Sequence, residues 1–215
     1  MNNQKFCFIM CSNNEQLTQE AISYIQRLEV PDEYTIEILT IQKATSMTSG
    51  YNEGMQASDA KYKIYLHQDV FILHSRFLFE LLDIFSNEKV GMIGMVGVTK
   101  MPENGIMWYG HRVGQIYSNC VYETVCMKLD DATRPYQNVD AIDGLLMATQ
   151  YDIPWREDLL KQWDFYDASQ SYEFRNAGYD VVVPYMEHPW VLHDDGFMKL
   201  QHYYENRLKF IEEYL

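Results

Sequence analysis

Short apolar runs alternate along the chain with stretches in which apolar positions recur every third or fourth residue, a pattern that predicts strands and helices in turn. "KFCFIMCS" (residues 5–12) reads as a compact strand, and "SNNEQ" after it offers Ser12, Asn13 and Asn14 as helix N-caps. In the following helix Leu17, Ala21, Tyr24 or Ile25, and Leu28 share one face, and Pro31 closes it. "YTIEILTI" is the next strand; a polar loop, "QKATSMTSG", leads into a short helix through "YNEGMQASDA" with Met55 and Ala57 as its apolar side. A buried strand from Ile64 to Ile72, a helix "SRFLFELLDIF" capped by Ser75, and a strand "VGMIGMVGV" complete the first hundred residues. Strand, helix, strand, helix, strand is the order of an α/β fold, here a mixed, mostly parallel sheet with helices on both faces.

Beyond Lys100 the character changes. "PENGIMWYGHRVGQIYSN" reads as a hairpin or irregular loop, "CVYETVCMKL" as a strand, and "VDAIDGLLMAT" as a strand broken at Asp143-Gly144. "YDASQSYEFRNAGY" is a helix ending at Gly178, "DVVVPYM" a last short strand, and "FMKLQHYYENRLKFIEEYL" a helix with Leu200, Tyr203 or Tyr204, Leu208 and Ile211 on one side. That last helix could pack on the domain, on a second copy of the chain or on a partner enzyme. No repeat, linker or low-complexity tract divides residues 1–215, which read as a single domain.

Composition narrows the function. A chain of 215 residues, 47% hydrophobic, can bury a substantial core, and its longest apolar runs fall far short of a membrane span. With no signal-peptide core, a cytoplasmic location is expected. The net charge of −14 and the lack of a Lys/Arg cluster exclude a general nucleic-acid binder. Cys7, Cys11, Cys120 and Cys126 show no Cys-x-x-Cys pair and read as buried thiols.

The interior of one strand poses the chemical question: His67, Gln68 and Asp69 interrupt an apolar run. Such an Asp must be paired, bound to a metal, or set where the strand opens into a cleft. The chain lacks G-x-x-x-x-G-K-[ST], G-x-S-x-G and a G-x-G-x-x-G before a helix, which disfavours P-loop enzymes, serine hydrolases and Rossmann dehydrogenases. Asp69 with His193 as a second ligand suits a Mg2+ or Mn2+ ion that leaves positions open for substrate phosphates. Paired carboxylates of a glycosidase stay open, since 31 acidic residues offer many pairs.

Several segments, in order, resemble family-2-like glycosyltransferases of the GT-A fold. "SGYNEGMQASDAKYKIYLHQDVFI" is similar to that family's N-x-G helix, matched by Asn52, Gly54 and Ala57, leading to its Asp-x-Asp strand end, where His67-Gln68-Asp69 stands. "VDAIDGLLMAT" resembles its Asp-Gly strand, "WRED" its Phe-Asp-Glu turn, "FYDASQSYEFRNAGYDVVV" its acidic helix, and His193 its late metal-binding histidine. The resemblance spans residues 5–197. It implies a nucleotide-sugar half (1–100), an acceptor-side half (101–197), a C-terminal helix (198–215), and transfer of a sugar from a UDP- or GDP-sugar to an acceptor hydroxyl, with inversion and a Mn2+ or Mg2+ cofactor. It further implies Asp167 as catalytic base, Asp143 facing donor sugar or acceptor, Asn13, Asn14, Asn52, His67 and Asp69 on the donor, and Asp69 and His193 on the metal. Trp108, Tyr109, Trp155 and Trp163 are candidate sugar-stacking rings.

Two departures stand out. His67 replaces the motif's first Asp, and Ser169 stands where relatives carry a second Asp after Tyr-Asp. They keep a non-catalytic protein of the same fold in view, and a sugar-phosphate nucleotidyltransferase is a third reading, opposed by the missing Gly-rich basic loop after the first strand.

Overall fold

The computed structural model describes residues 1–119, 123–194, 196 and 200–215; Cys120 and positions 197–199 of the expected final helix lie outside them. In chain order the strands are β1 (Asn2–Ser12), β2 (Thr35–Gln42), β3 (Ala60–Leu66), β4 (Val70–Ile72), β5 (Val90–Gly94), β6 (Val96–Val98), β7 (Arg112–Asn119), β8 (Thr124–Lys128), β9 (Tyr136–Asn138), β10 (Ala141–Ile142), β11 (Leu146–Thr149), β12 (Asp180–Pro184) and β13 (Val191–His193). The helices are α1 (Glu15–Ile25), α2 (Met47–Ala57), α3 (Phe77–Phe85), α4 (Tyr166–Asn176) and α5 (Tyr203–Tyr214).

The α/β class and the mixed sheet expected from the sequence are found. A seven-stranded sheet has the order β2-β1-β3-β11-β5-β12-β9. In it β1, β2, β3, β5 and β12 run one way, and β11 and β9 run against them. A second sheet, unforeseen, has six strands, β10-β6-β7-β13-β4 with β8 beside β7. β1 buries Phe6 through Met10 without a break because its sheet is covered on both faces, as continuous apolar strands require.

Local chemistry sets the helix starts. Asn14 caps α1, its side chain accepting from the Gln16 and Leu17 amides. A reciprocal Ser46–Ser49 capping box starts α2 four residues before the expected Tyr51, and Ala57 at its end is exposed rather than apolar-facing. α2 lies close on β1 because Gly54 has no side chain: a Cβ there would sit 2.3 Å from Ile9 Cγ2. Ser75 does not cap α3; its hydroxyl donates to Glu29 at 2.7 Å, and the helix begins after Arg76. α5 buries Asn206 and Phe210 and leaves Tyr204 and Leu208 exposed, the reverse of the expected face for those two, because Phe165 and Tyr172 pack on Phe210. Of the described cysteines Cys7 is buried, but Cys126 is exposed on β8.

Two apolar runs that read as single strands are each divided between the sheets. The run 64–72 breaks at residues 67–69: the His67 amide bonds Leu145 O, the Val70 amide turns back to His67 O, and β4 joins the second sheet. The run 90–98 breaks at Met95, and β10 and β11 are likewise separated at residues 143–145. The chain thus crosses between sheets at three points along one seam, tied by His67 N to Leu145 O (3.0 Å) and Asp143 N to Val96 O (2.9 Å).

Candidate active site

The seam carries the chemistry. His67 and Asp69 flank the turn between β3 and β4, and His193 ends β13, which pairs antiparallel with β4 so that His193 lies opposite Val70. Asp194 N reinforces this by bonding Asp69 O at 2.9 Å. Asp69 Oδ1 lies 3.9 Å from His67 Nδ1 and 3.5 Å from His193 Nε2, and the imidazole rings meet edge-on at 5.4 Å. One ligand atom from each of the three lies within 4.8 Å of the others. Burial alone would raise the Asp69 pKa, but the two imidazoles outweigh it and hold the carboxyl below its ordinary value.

Asp69 Oδ1 is sealed from solvent and has no hydrogen-bond partner among the described residues. An orphaned buried carboxylate oxygen facing two imidazole nitrogens is the environment a divalent cation relieves. The residues present therefore fit a metal.

His67 also faces a second cluster, its Nε2 lying 2.5 Å from the Tyr166 hydroxyl. Tyr166 starts α4, and the preceding Phe165, a bulky residue held at φ 64°, aims the first turn of that helix at the seam. Asp167 follows: its Oδ2 accepts from Gly144 N at 2.9 Å and its Oδ1 from Ala168 N at 2.8 Å. Gly144 must be glycine, since a Cβ would stand 2.2 Å from the Tyr166 hydroxyl. Asp167 is half-buried by residue surface, yet its carboxyl lies deep in the protein. That burial, with the negative charge of Asp143 added, pushes its pKa up to about 7 despite the two amide donors.

Two clefts meet here. One, of 410 Å³, is lined by Asn13, Lys43, Gln68, Asp69 and neighbours. The other, of 480 Å³, contains Asp143, Asp167, His193, Trp108 and Arg112; His67 and Trp163 line both. Gln68 joins the turn to the β1–α1 loop, its Oε1 accepting from the Asn13 and Asn14 amides at 3.0 and 2.9 Å and its Nε2 donating to Asn13 Oδ1.

The expected site residues are therefore partly gathered. Asn13, His67, Asp69, Asp143, Asp167 and His193 line the paired clefts. Asn14 lines neither, its side chain capping α1. Asn52 lines neither as well: its amide holds the Trp155 backbone at both N (2.9 Å) and O (2.9 Å) and reaches Glu157. Trp155 is core, packed tilted against Tyr51 and edge-on to Tyr65, and Tyr109 is exposed outside the clefts. Ser169 is buried and bonds the Tyr214 hydroxyl at 2.8 Å, bracing α4 on α5. Tyr166, Lys43 and Arg112 carry no sequence signal of their own, and Gln68 is marked only as the middle of the polar interruption; Tyr166 is signalled only by its place beside Asp167.

The model of a glycosyltransferase-like family matches residues 7–214. The chain belongs to that family. Its fold is shared by the mannosyltransferase PcManGT of Pyrobaculum calidifontis, solved with GDP-Man and Mn2+ (TM-score 0.58, 11% identity, covering 97% of this chain and 61% of that one). It is shared too by residues 1–349 of S. aureus TarS with UDP-GlcNAc (TM-score 0.62, 7% identity, 97% and 66% covered) and with UDP (0.60, 9%, 94% and 63%). This glycosyltransferase-like chain thus spans 61% to 66% of these solved chains and 39% of a longer TarS chain. No curated protein matches it in sequence. No helix among its described residues is long and apolar enough to cross a membrane.

Proposed function

We propose that this glycosyltransferase-like protein transfers a sugar from a nucleotide-diphosphate donor to an acceptor hydroxyl with inversion at the anomeric carbon. One observation carries the reading: a two-histidine, one-carboxylate ligand set and a buried carboxyl of raised pKa meet where the two clefts join, with His67 and His193 lining the same cleft as Asp167 and Asp69 lining the other. PcManGT, solved with GDP-Man and Mn2+, and TarS, solved with UDP-GlcNAc, support the donor class.

Asp69, His193 and His67 would hold the cation. Two imidazoles beside one carboxylate favour Mn2+ over the harder Mg2+. When bound, the cation supplies positive charge for the departing nucleotide diphosphate. Asn13 and Gln68 shape the wall of the donor cleft, and Lys43, also in that wall, would offer its positive charge to the phosphates. Across His67, Asp167 takes the acceptor's hydroxyl proton while the acceptor oxygen bonds the anomeric carbon and the diphosphate leaves with its electron pair. A base with a pKa of about 7 suits that role at neutral pH. Asp143 raises the basicity of Asp167 by its charge.

The test is calorimetric titration with UDP, GDP and their sugars, with and without Mn2+, on wild type and Asp69→Ala. Binding that needs Mn2+ and drops at least a hundredfold in the variant is expected. Failure of every nucleotide to bind the wild type would sink the reading and leave a non-catalytic member of the family.

A further inference from the structure

The acceptor-side cleft is built along one face of β7. Side chains alternate across a strand, so Arg112, Ile116 and Ser118 point the same way, and these three line the cleft whereas Val113, Gln115 and Tyr117 do not. Ser118 pairs in register with His193, which puts that end of β7 at the ligand set. Ile116 pairs with Met127 of β8, making an apolar step part-way along. Arg112 lies six residues from Ser118, up to about 20 Å away at ~3.3 Å per residue. The cleft therefore runs from a polar reactive end past an apolar middle to Arg112, with Asp164 as a further acid in its wall.

Among the described residues Arg112 is the one Lys or Arg that lines this cleft. The chain carries 31 acidic residues against 17 basic ones, yet no carboxylate lies within ion-pair distance of Arg112 among the described residues. Its guanidinium carbon instead lies over Trp108, 5.3 Å from the ring centroid, and both residues line the cleft. Met127 and Trp108 are half-buried, leaving apolar surface beside it with little to hydrogen-bond a bare sugar's hydroxyls.

We infer that the acceptor is an amphiphile: it brings its hydroxyl to Asp167, lays an apolar body over Ile116, Met127 and Trp108, and anchors an oxyanion on Arg112. This rests on the reading of the site as a glycosyltransferase centre. A planar guanidinium binds phosphate or carboxylate through paired donors, and its complement is the negative group that most of this acidic surface would repel.

Binding of dodecyl phosphate, dodecyl β-glucoside and inorganic phosphate, each below micelle concentration, is measured by tryptophan fluorescence and calorimetry on the full chain. Dodecyl phosphate should bind at least tenfold tighter than either other probe. Arg112→Gln should erase most of that gain while leaving dodecyl β-glucoside binding unchanged, and Met127→Glu should weaken both dodecyl probes. Dodecanoate beside dodecyl phosphate tells a carboxylate anchor from a phosphate one, and either upholds the inference. Equal binding of dodecyl phosphate and inorganic phosphate, or an Arg112→Gln protein that binds dodecyl phosphate like wild type, overturns it. UDP and GDP titrated with Mn2+ into the same samples report on the donor site separately: their binding to Arg112→Gln establishes that the variant is folded, and their failure on wild type defeats the enzyme reading rather than the anchor.

Discussion

Replacing Asp167 by asparagine removes a titrating group from the seam while keeping its shape. The folded carboxyl titrates at about 7 rather than its ordinary 3.8, because burial first and the Asp143 charge second disfavour ionisation. A carboxyl whose folded pKa lies above its unfolded value contributes stability in full below the unfolded pKa, and loses it as pH rises toward the folded one. At ~1.36 kcal/mol per pH unit the whole loss is on the order of 4 kcal/mol, of which roughly 3 kcal/mol falls between pH 5 and pH 8. Asparagine does not titrate. It keeps one acceptor for the Gly144 and Ala168 amides and loses the other, at ~1 kcal/mol that does not vary with pH. Urea unfolding of both proteins at pH 5, 6, 7 and 8 therefore yields a difference that moves in favour of Asp167→Asn by roughly 3 kcal/mol across the series. Parallel curves would refute the reasoning, because they would mean that Asp167 is ionised in the fold at pH 5.

Three further outcomes are expected, beside the loss of Mn2+-dependent nucleotide binding in Asp69→Ala. Because the base must be ionised, kcat/KM should rise with pH through about 7, and Asp143→Asn should move that midpoint to lower pH by removing the charge that raises it; pH–rate profiles decide. Gln68→Ala should weaken nucleotide binding about tenfold and leave Mn2+ affinity unchanged, since it frees the Asn13 and Asn14 amides at ~1 kcal/mol each without touching the ligand set; calorimetry reads both. Asn52→Ala should cost roughly 2 to 4 kcal/mol in chemical unfolding, orphaning the buried Trp155 N–H and C=O, with nucleotide affinity of the folded protein intact.

The alternation of apolar runs and helical spacing was legible, and so was the identity of the polar interruption at residues 67–69. What the pattern could not convey is that "VGMIGMVGV" serves two sheets. Both halves are buried, so no polar residue marks the change at Met95, and periodicity registers burial rather than which sheet does the burying. His67, Asp69 and His193 were individually readable as candidates, but their convergence depends on β4 and β13 pairing across more than a hundred residues, which no local signal encodes. Arg112 looked like one surface cation among 17 basic residues until the register of β7 put it on the face of Ser118. Asn52 differs: an N-x-G helix fits a ligand role by resemblance, and the structure places its amide on the Trp155 backbone.

Residues 67–69, Met95 and 143–145 belong to no strand. At His67, Gln68, Asp69 and Asp143 the side chains can therefore change without disturbing the pairing that holds either sheet together, whereas Met95, Gly144 and Leu145 are fixed by close packing. The arrangement is a socket: the frame is conserved by backbone bonding, and the reagents set into it are exchangeable. A histidine at 67 in place of an acid is then a new side chain in an unaltered mount.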